Sequence, residues 1–340
     1  MHEQQSYPIS FAEVLRAKKA VYQYLVPTQL TRYEELSRLL DAEIYIKHEN
    51  HNPTGTFKVR GGINVMSQLR QTDFNGVITF STGNHGLSVG TTAAWFGLEA
   101  TIVVPENNNP AKNRKIRASG AKLIEAGTTF EEASRVVEKI LGEQDLYYVH
   151  PANEPHLING VGTEFVEIIE QLPDLDAVIV PIGAGSEAAA AVTVLKSINP
   201  AIKIYAVQAE KSSAAYLSWK SGGIQSAANT TFAGGFATGT GYEIPFAIYK
   251  DSLEDFVTLS EQEIYEGIAL SAYYTQNFVE GAGASTLMAA LKLKEKLKGK
   301  KVVLQCSGGN ASTEEIKRAY DLSSFETGKV GQTEPGNYIL

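Results

Sequence analysis

Short apolar runs rich in β-branched residues alternate with helical stretches along most of this chain. That alternation constrains the fold more than any other feature. IYIKHE, GVITFS, ATIVVP, AKLIEA, AVIVPI, KIYAVQA and KVVLQCS read as strands. Between them, AKNRKIRASG, TFEEASRVVEKILGE, VGTEFVEIIEQL and ASTLMAALKLKEKLKG carry helical periodicity. The pattern predicts an α/β fold, with mostly parallel sheets flanked by helices. With 340 residues, 43% of them hydrophobic, the chain can bury a substantial core and is expected to form two domains. Residues 75–148 hold short strand candidates and their own helices, so they read as a small domain inserted in a larger one made of 1–74 and 149–325. The tail, 326–340, lacks a core pattern and reads as an extended arm.

In such folds ligands bind beyond the carboxyl ends of the strands. Three glycine-bearing turns lie there. FSTGNHG (80–86) follows GVITF and precedes a helical stretch. VIVPIGAGSEAAAA (178–191) carries a β-branched run into Gly183, Ala184, Gly185 and Ser186, then an alanine-rich helix. CSGGN (306–310) ends the last strand candidate. The first two turns aim backbone N–H groups at whatever sits above a helix N-terminus, which favours a carboxylate or phosphate. A fourth segment, HENHNPTGTFKVRGG (48–62), sets Lys58 behind an Asn-Pro turn, beside Phe57 and with few acidic neighbours. A partly desolvated lysine loses its preference for the ammonium form and can act as nucleophile and base. Each segment alone also fits a plain connection between strand and helix. The combination of two anion cradles with such a lysine argues for a Schiff-base site.

Composition narrows the partners. The net charge is −8 and no basic stripe appears, so nucleic acid is not expected. No run approaches the ~20 apolar residues of a spanning helix, and the polar start, MHEQQSYPIS, lacks an apolar signal core. The single cysteine, Cys306, cannot form an intrachain disulfide and fits a reducing, cytoplasmic setting. It reads as a small buried strand residue rather than a nucleophile.

Lys58 in TGTFKVRGG, then STGNHG, the GAGS loop and CSGGN stand in an order and spacing that resembles the fold-type-II, pyridoxal-phosphate-dependent threonine/serine dehydratases and serine racemases, from about residue 20 to about 325. The resemblance implies two open, twisted, mostly parallel sheets flanked by helices, as in the tryptophan synthase β-like fold. It implies pyridoxal 5′-phosphate held as a Schiff base on Lys58, with the freed amine later removing the substrate's Cα proton. Phe57 would pack on the ring or in the core. Asn84 would hydrogen-bond the ring hydroxyl. Ser81, Thr82, Gly83, Asn84 and His85 would form the turn for the substrate carboxylate, with His85 read as structural. Gly183, Ala184, Gly185 and Ser186 would hold the phosphate. Ser307 would meet the ring nitrogen; a neutral hydroxyl there leaves a weaker electron sink than a carboxylate would, so β-elimination competes well with transamination. The small domain would close on substrate. A homodimer is also implied, as is the absence of isoleucine feedback, since no regulatory domain follows in this sequence.

Several departures bear on the reaction. The family's glycine run becomes Gly-Ala-Gly-Ser and is followed by Glu187, a carboxylate beside a phosphate site, expected to point away, to cap the helix or to meet a cation. Thr82 replaces the serine that racemases use on the opposite face. Ala152 replaces a polar residue near the cofactor, with Asn153 as its expected substitute. Glu210, with the Ala214 carbonyl, matches part of a cation site, but the next ligand falls on Tyr216, so no tightly bound metal is expected and at most a weak cation. The glycine-rich 232–246 segment leaves room for a larger β-substituent. The reading is a lyase that dehydrates and deaminates a β-hydroxy amino acid, by default L-threonine or L-serine, to a 2-oxo acid and ammonia. Rivals are a dehydratase of a bulkier or acidic 3-hydroxy amino acid (3-phenylserine, 3-hydroxyaspartate), a serine racemase, a β-replacement synthase, and a binding protein that merely keeps the fold.

Overall fold

A computed structural model describes residues 7–70, 72–127 and 130–322. The expected tail, 326–340, lies outside the described residues.

Among the described residues, ten strands form two sheets. They are β1 (Leu30–Arg32), β2 (Glu43–His48), β3 (Gly76–Phe80), β4 (Glu99–Val104), β5 (Lys122–Glu125), β6 (Leu146–Tyr148), β7 (Ala177–Pro181), β8 (Lys203–Ala209), β9 (Asp255–Leu259) and β10 (Lys301–Cys306). The six-stranded sheet has the order β1-β2-β10-β7-β8-β9, and the four-stranded sheet β5-β4-β3-β6. Every pairing is parallel except β1 against β2. This is the mostly parallel α/β architecture that the alternating pattern predicts. The smaller sheet draws all its strands from residues 76–148, and the larger sheet takes strands from both sides of that stretch.

The central strands are mostly apolar because both their faces are covered, with Gln208 of β8 and Gln305 of β10 as buried polar exceptions. In β7, Val178 and Val180 join one core with Ala188–Leu195 of the Ser186–Ile198 helix, while Ala177 and Ile179 join the other with Leu287–Leu291 of the Gly281–Lys292 helix. β8 splits the same way, Ile204 and Ala206 against Tyr205, Val207 and Ala209. Side chains alternate with period two, so a strand buried on both faces reads as a continuous apolar run. The smaller sheet has its own cluster, built on Ile78, Phe80, Val103, Ala133 and Val137.

Two helices lock the sheets together. The Lys58–Leu69 helix packs on the Asn84–Phe96 helix, where a Cβ at Gly62 would crowd Ser88 Oγ and Thr92 Oγ1, each 2.7 Å away. Ser88 Oγ donates to the Lys58 carbonyl at 2.7 Å. The first residue of one helix is thereby tied to the second helix, which starts beyond β3.

Behind Lys58 lies a buried ion network. Arg60 Nε donates to Glu49 Oε2 at 2.7 Å and Arg60 Nη1 to Glu167 Oε1 at 2.6 Å. Lys47 Nζ reaches Glu167 Oε2 at 2.6 Å and the Thr28 carbonyl at 2.8 Å. Arg60, Lys47, Glu49 and Glu167 are all fully buried, and their charges balance. Among the described residues no helix is long and apolar enough to cross a membrane.

Candidate active site

Four loops leave the carboxyl ends of β2, β3, β7 and β10 and meet around one cavity. Its walls include Phe57, Lys58, Ser81, Thr82, Gly83, Asn84, His85, Gly183, Ala184, Gly185, Ser186 and Ser307. These are the residues singled out in the sequence, drawn from segments up to 250 positions apart.

Lys58 is the first residue of its helix, after Phe57 at the N-cap. Its Nζ donates to Ser186 Oγ at 2.9 Å and lies 4.7 Å from the Phe57 ring centroid. Burial pushes the Lys58 amine down to about 8, although Glu187, Glu164 and Glu280 pull it the other way. Far more of it is therefore the free amine near neutral pH than for an ordinary lysine, and it becomes mostly free above about pH 8.

The turn after β7 is shaped by close approach. A Cβ at Gly183 would collide with the Gly235 carbonyl oxygen. Gly185 takes φ +93°, in the left-handed region, which spares Ala184 a positive φ. The Ser186–Ile198 helix begins at once, so its first-turn N–H groups have no intrahelical acceptor and face the cavity end of the helix. The turn after β3 repeats the device at the Asn84–Phe96 helix, where Ser81 Oγ accepts from Gly83 N at 3.3 Å.

Asn84 is fixed from both sides. Its Nδ2 donates to Glu280 Oε1 at 2.5 Å and its Oδ1 accepts from Asn310 Nδ2 at 2.9 Å. The second N–H of the amide stays available to a ligand. His85 is buried, with Nε2 3.0 Å from Thr79 Oγ1 and 3.1 Å from the Val149 carbonyl. Burial and the Lys58 charge push it down to about 3, so its ring is neutral and bound to the scaffold. Ser307 is buried, and its carbonyl accepts from Phe57 N at 3.1 Å and Thr56 Oγ1 at 3.0 Å. That ties the end of β10 to the lysine segment. Burial pushes the Cys306 thiol up, so it stays protonated and inert.

Two expectations are corrected. Glu187 neither points away nor caps its helix: it is 3% exposed and lines the cavity, because the first turn of the helix carries it inward with Ser186. Asn153 does not stand in for a polar group at the cavity. Its Oδ1 accepts from Ile244 N at 3.1 Å, which anchors the 232–246 segment instead. Ala152 N and Asn153 N both donate to His150 Nδ1, at 2.9 and 2.8 Å, and burial holds His150 down at about 4. At the other expected site, Glu210 is exposed, and the Tyr216 ring packs edge-on against Phe256 at 5.6 Å. Among the described residues no group of three or more His, Cys, Asp or Glu is placed to hold a metal ion.

Sequence reasoning missed two charged residues of the cavity wall. Glu280, at the N-cap of the Gly281–Lys292 helix, is 7% exposed and orients Asn84. Burial raises its carboxyl, against the pull of Lys112 and the hydrogen bond from Asn84. Lys112, on the Pro110–Ala118 helix, brings its Nζ near Gly83 and Gly234. Neither lies in a glycine-bearing turn, so the only sequence signal was a charge next to small residues.

Comparison with known proteins agrees with this geometry. The model of the family described as "Pyridoxal-phosphate dependent enzyme" matches residues 21–308. The chain is 33% identical over 323 residues to an L-threonine ammonia-lyase of Thermotoga maritima, covering 94% of this chain and 80% of that one. It is 32% identical over 318 residues to an L-threo-3-hydroxyaspartate ammonia-lyase of Saccharomyces cerevisiae, covering 93% and 96%. Among solved structures, serine racemase from Dictyostelium discoideum superimposes with a TM-score of 0.84 at 30% identity, covering 89% of this chain and 99% of that one.

Proposed function

We propose that this chain, which belongs to the pyridoxal-phosphate dependent enzyme family, is a lyase that dehydrates and deaminates a β-hydroxy amino acid, with L-threonine or L-serine as the first expectation. The observation that carries the reading is Lys58: a depressed amine on the cavity wall, hydrogen-bonded to Ser186 at the start of a helix.

The residues fit the cofactor. The Gly183–Ser186 turn offers backbone N–H groups where a Cβ at Gly183 would not fit, which suits a phosphate. Lys58 would hold the cofactor covalently, Asn84 would offer its remaining amide N–H to the ring hydroxyl, Ser307 would offer a neutral hydroxyl to the ring nitrogen, and Phe57 would pack beside the ring. When bound, the cofactor supplies the electron sink that acidifies the substrate's Cα proton.

The chain's own residues do the rest. Lys58 Nζ, as a free amine, takes the Cα proton. The N–H groups of the Ser81–His85 turn hold the substrate carboxylate and orient the Cα–H bond toward Lys58. The smaller sheet, which carries that turn, moves as a domain of residues 75–148 toward the larger one made of 1–74 and 149–325 and excludes water. Thr82, with a methyl beside its hydroxyl, disfavours the second-face protonation that racemisation needs. The protein works as a cytoplasmic homodimer; a monomeric mass in solution removes the dimer.

A second substrate reading has its own observation. Lys112 reaches the cavity wall beside Gly83 and Gly234; among the described residues its Nζ makes no hydrogen bond or salt bridge, and its charge acts on Glu280 across the cavity wall. A cation without a hydrogen-bonded partner there favours a substrate whose β-carbon carries a second carboxylate. The test is 2-oxo acid release by the cofactor-loaded protein from L-serine, L-threonine, 3-hydroxyaspartate and 3-phenylserine. Fastest release from threonine or serine supports the first reading, and fastest release from hydroxyaspartate the second. No release from any of the four sinks the lyase assignment in favour of racemisation or β-replacement.

A further inference from the structure

Two buried carboxyl side chains, Glu187 on the cavity wall and Glu164 in the interior, have oxygens without hydrogen-bond partners. Glu164, on the Thr163–Gln171 helix, is fully buried, and neither of its oxygens has a hydrogen-bond partner. Glu187 is 3% exposed, and its Oε1 also lacks one. A carboxylate deprived of both water and partners costs several kcal/mol.

The surrounding charges do not relieve that cost. Glu164 faces Glu187, Glu49, Arg60 and Lys47. Glu187 faces Lys58, Glu49 and Glu280. Arg60 and Lys47 are already matched by Glu49 and Glu167, with hydrogen bonds at 2.6 to 2.9 Å. Among the described cations that act on Glu164 and Glu187, Lys58 is then the one not already matched by an acid, and Glu280 adds a third acid acting on Glu187.

We propose that the Glu164–Glu187 pair holds a proton at neutral pH, so that Glu187 meets the cavity as a neutral carboxylic acid and hydrogen-bond donor rather than as an anion. Burial raises both carboxyl groups well above their ordinary range, in keeping with this, while Lys58 alone works against it on Glu187. The consequence is chemical. An ionised Glu187 in the first turn of the Ser186–Ile198 helix would repel an anion seated there. A protonated one adds an O–H donor to the helix N–H groups. It also removes a negative charge that would hold Lys58 in its ammonium form.

The proton needs no cofactor to be seen; the proposed function enters only in naming the anion. Infrared difference spectra of the cofactor-free protein at pH 7, wild type minus Glu187→Gln and wild type minus Glu164→Gln, are expected to contain the C=O stretch of a protonated carboxyl, well separated from carboxylate bands. Absence of that band from the wild type minus Glu187→Gln difference overturns the proposal, since the proton would then not be on Glu187. Both substitutions are near-isosteric, and circular dichroism checks the fold. A second measurement titrates the cofactor-free protein with pyridoxal phosphate by absorbance. If Glu187 is already neutral, Glu187→Gln keeps the affinity within about threefold; if it is an anion, the substitution tightens binding about tenfold or more, and the proposal fails. A wild type that takes up no pyridoxal phosphate would defeat the proposed function while leaving the infrared result intact.

Discussion

Lys58 Nζ donates to Ser186 Oγ at 2.9 Å, which joins the first residue of one helix to the first residue of another across 128 positions of chain. The contact sets the amine beside the anion cradle, and burial holds it near 8. The sign follows directly: below about 8 the amine is protonated and unreactive, above it the amine is free. In the cofactor-free protein, covalent modification of Lys58 by an amine-selective reagent should rise through about pH 8, well below the ordinary lysine range. A rise only near pH 10 would show that burial does not govern the group. Lys58→Ala should keep the fold and lower 2-oxo acid release by at least roughly 10²–10⁴-fold; turnover near wild type without added amine would remove Lys58 from the mechanism.

Gly183 sits where the turn after β7 touches the 232–246 segment, and a Cβ would strike the Gly235 carbonyl oxygen. Gly183→Ala must push one backbone away from the other, at a cost of about 1–3 kcal/mol. The cradle opens, and pyridoxal phosphate affinity should fall about tenfold or more, measured by titration of the cofactor-free protein. Gly97→Ala is the control: Gly97 has φ +72° but nothing within 4 Å of its added Cβ, so only backbone strain is introduced. Its cofactor affinity should match wild type. Equal losses in the two variants would mean that global stability, rather than the cradle, controls binding.

Arg60 is fully buried and bridges Glu49 and Glu167. Arg60→Met leaves both carboxylates in the interior with only Lys47 between them. Breaking a buried pair from one side costs about 3–5 kcal/mol, so urea unfolding of the cofactor-free protein should shift by that amount. Adding Glu49→Gln to Arg60→Met should recover part of the loss, because it removes one of the stranded charges. A double variant no more stable than the single one would show that packing, not charge, is what Arg60 contributes.

The sheets were legible because the strands that build them are buried on both faces and so carry dense apolar runs, as in AVIVP and the VVL of β10. β1, β6 and β9 were not among the runs named. β1 and β6 have three residues each, and β9 interrupts its apolar positions with Asp255 and Thr258 at the sheet edge. Short edge strands take their identity from pairing, which no local pattern records. The site divides in the same way. Lys58, Asn84, the 183–186 turn and Ser307 announce themselves because each lies in a turn whose glycines have a backbone reason to be there. Glu280 and Lys112 are single charges in otherwise ordinary helical sequence, and only the fold carries them to the cavity. Glu187 was misread because a carboxylate was assumed to be ionised and therefore driven outward. The helix geometry turns it inward with Ser186, and the charge has to adapt.

Lys112 offers the sharpest test of substrate choice. Its Nζ is near Gly83, within the turn proposed for the α-carboxylate, and near Gly234 of the 232–246 segment. Two uses are open to a cation in that position: it reads the carboxylate common to all amino acids, or it reads a second one that only some carry. Lys112→Ala separates them. If Lys112 meets a distal carboxylate, kcat/KM for 3-hydroxyaspartate should fall by about 10–100-fold, the worth of a charge-assisted hydrogen bond, while kcat/KM for threonine changes by less than about threefold. Most of the loss should fall on KM, since binding is weakened in the ground state and transition state alike. An equal fall for both substrates would assign Lys112 to the shared α-carboxylate. In that case the cavity would have no acid-specific wall, and the smaller substrates would stand as the natural ones.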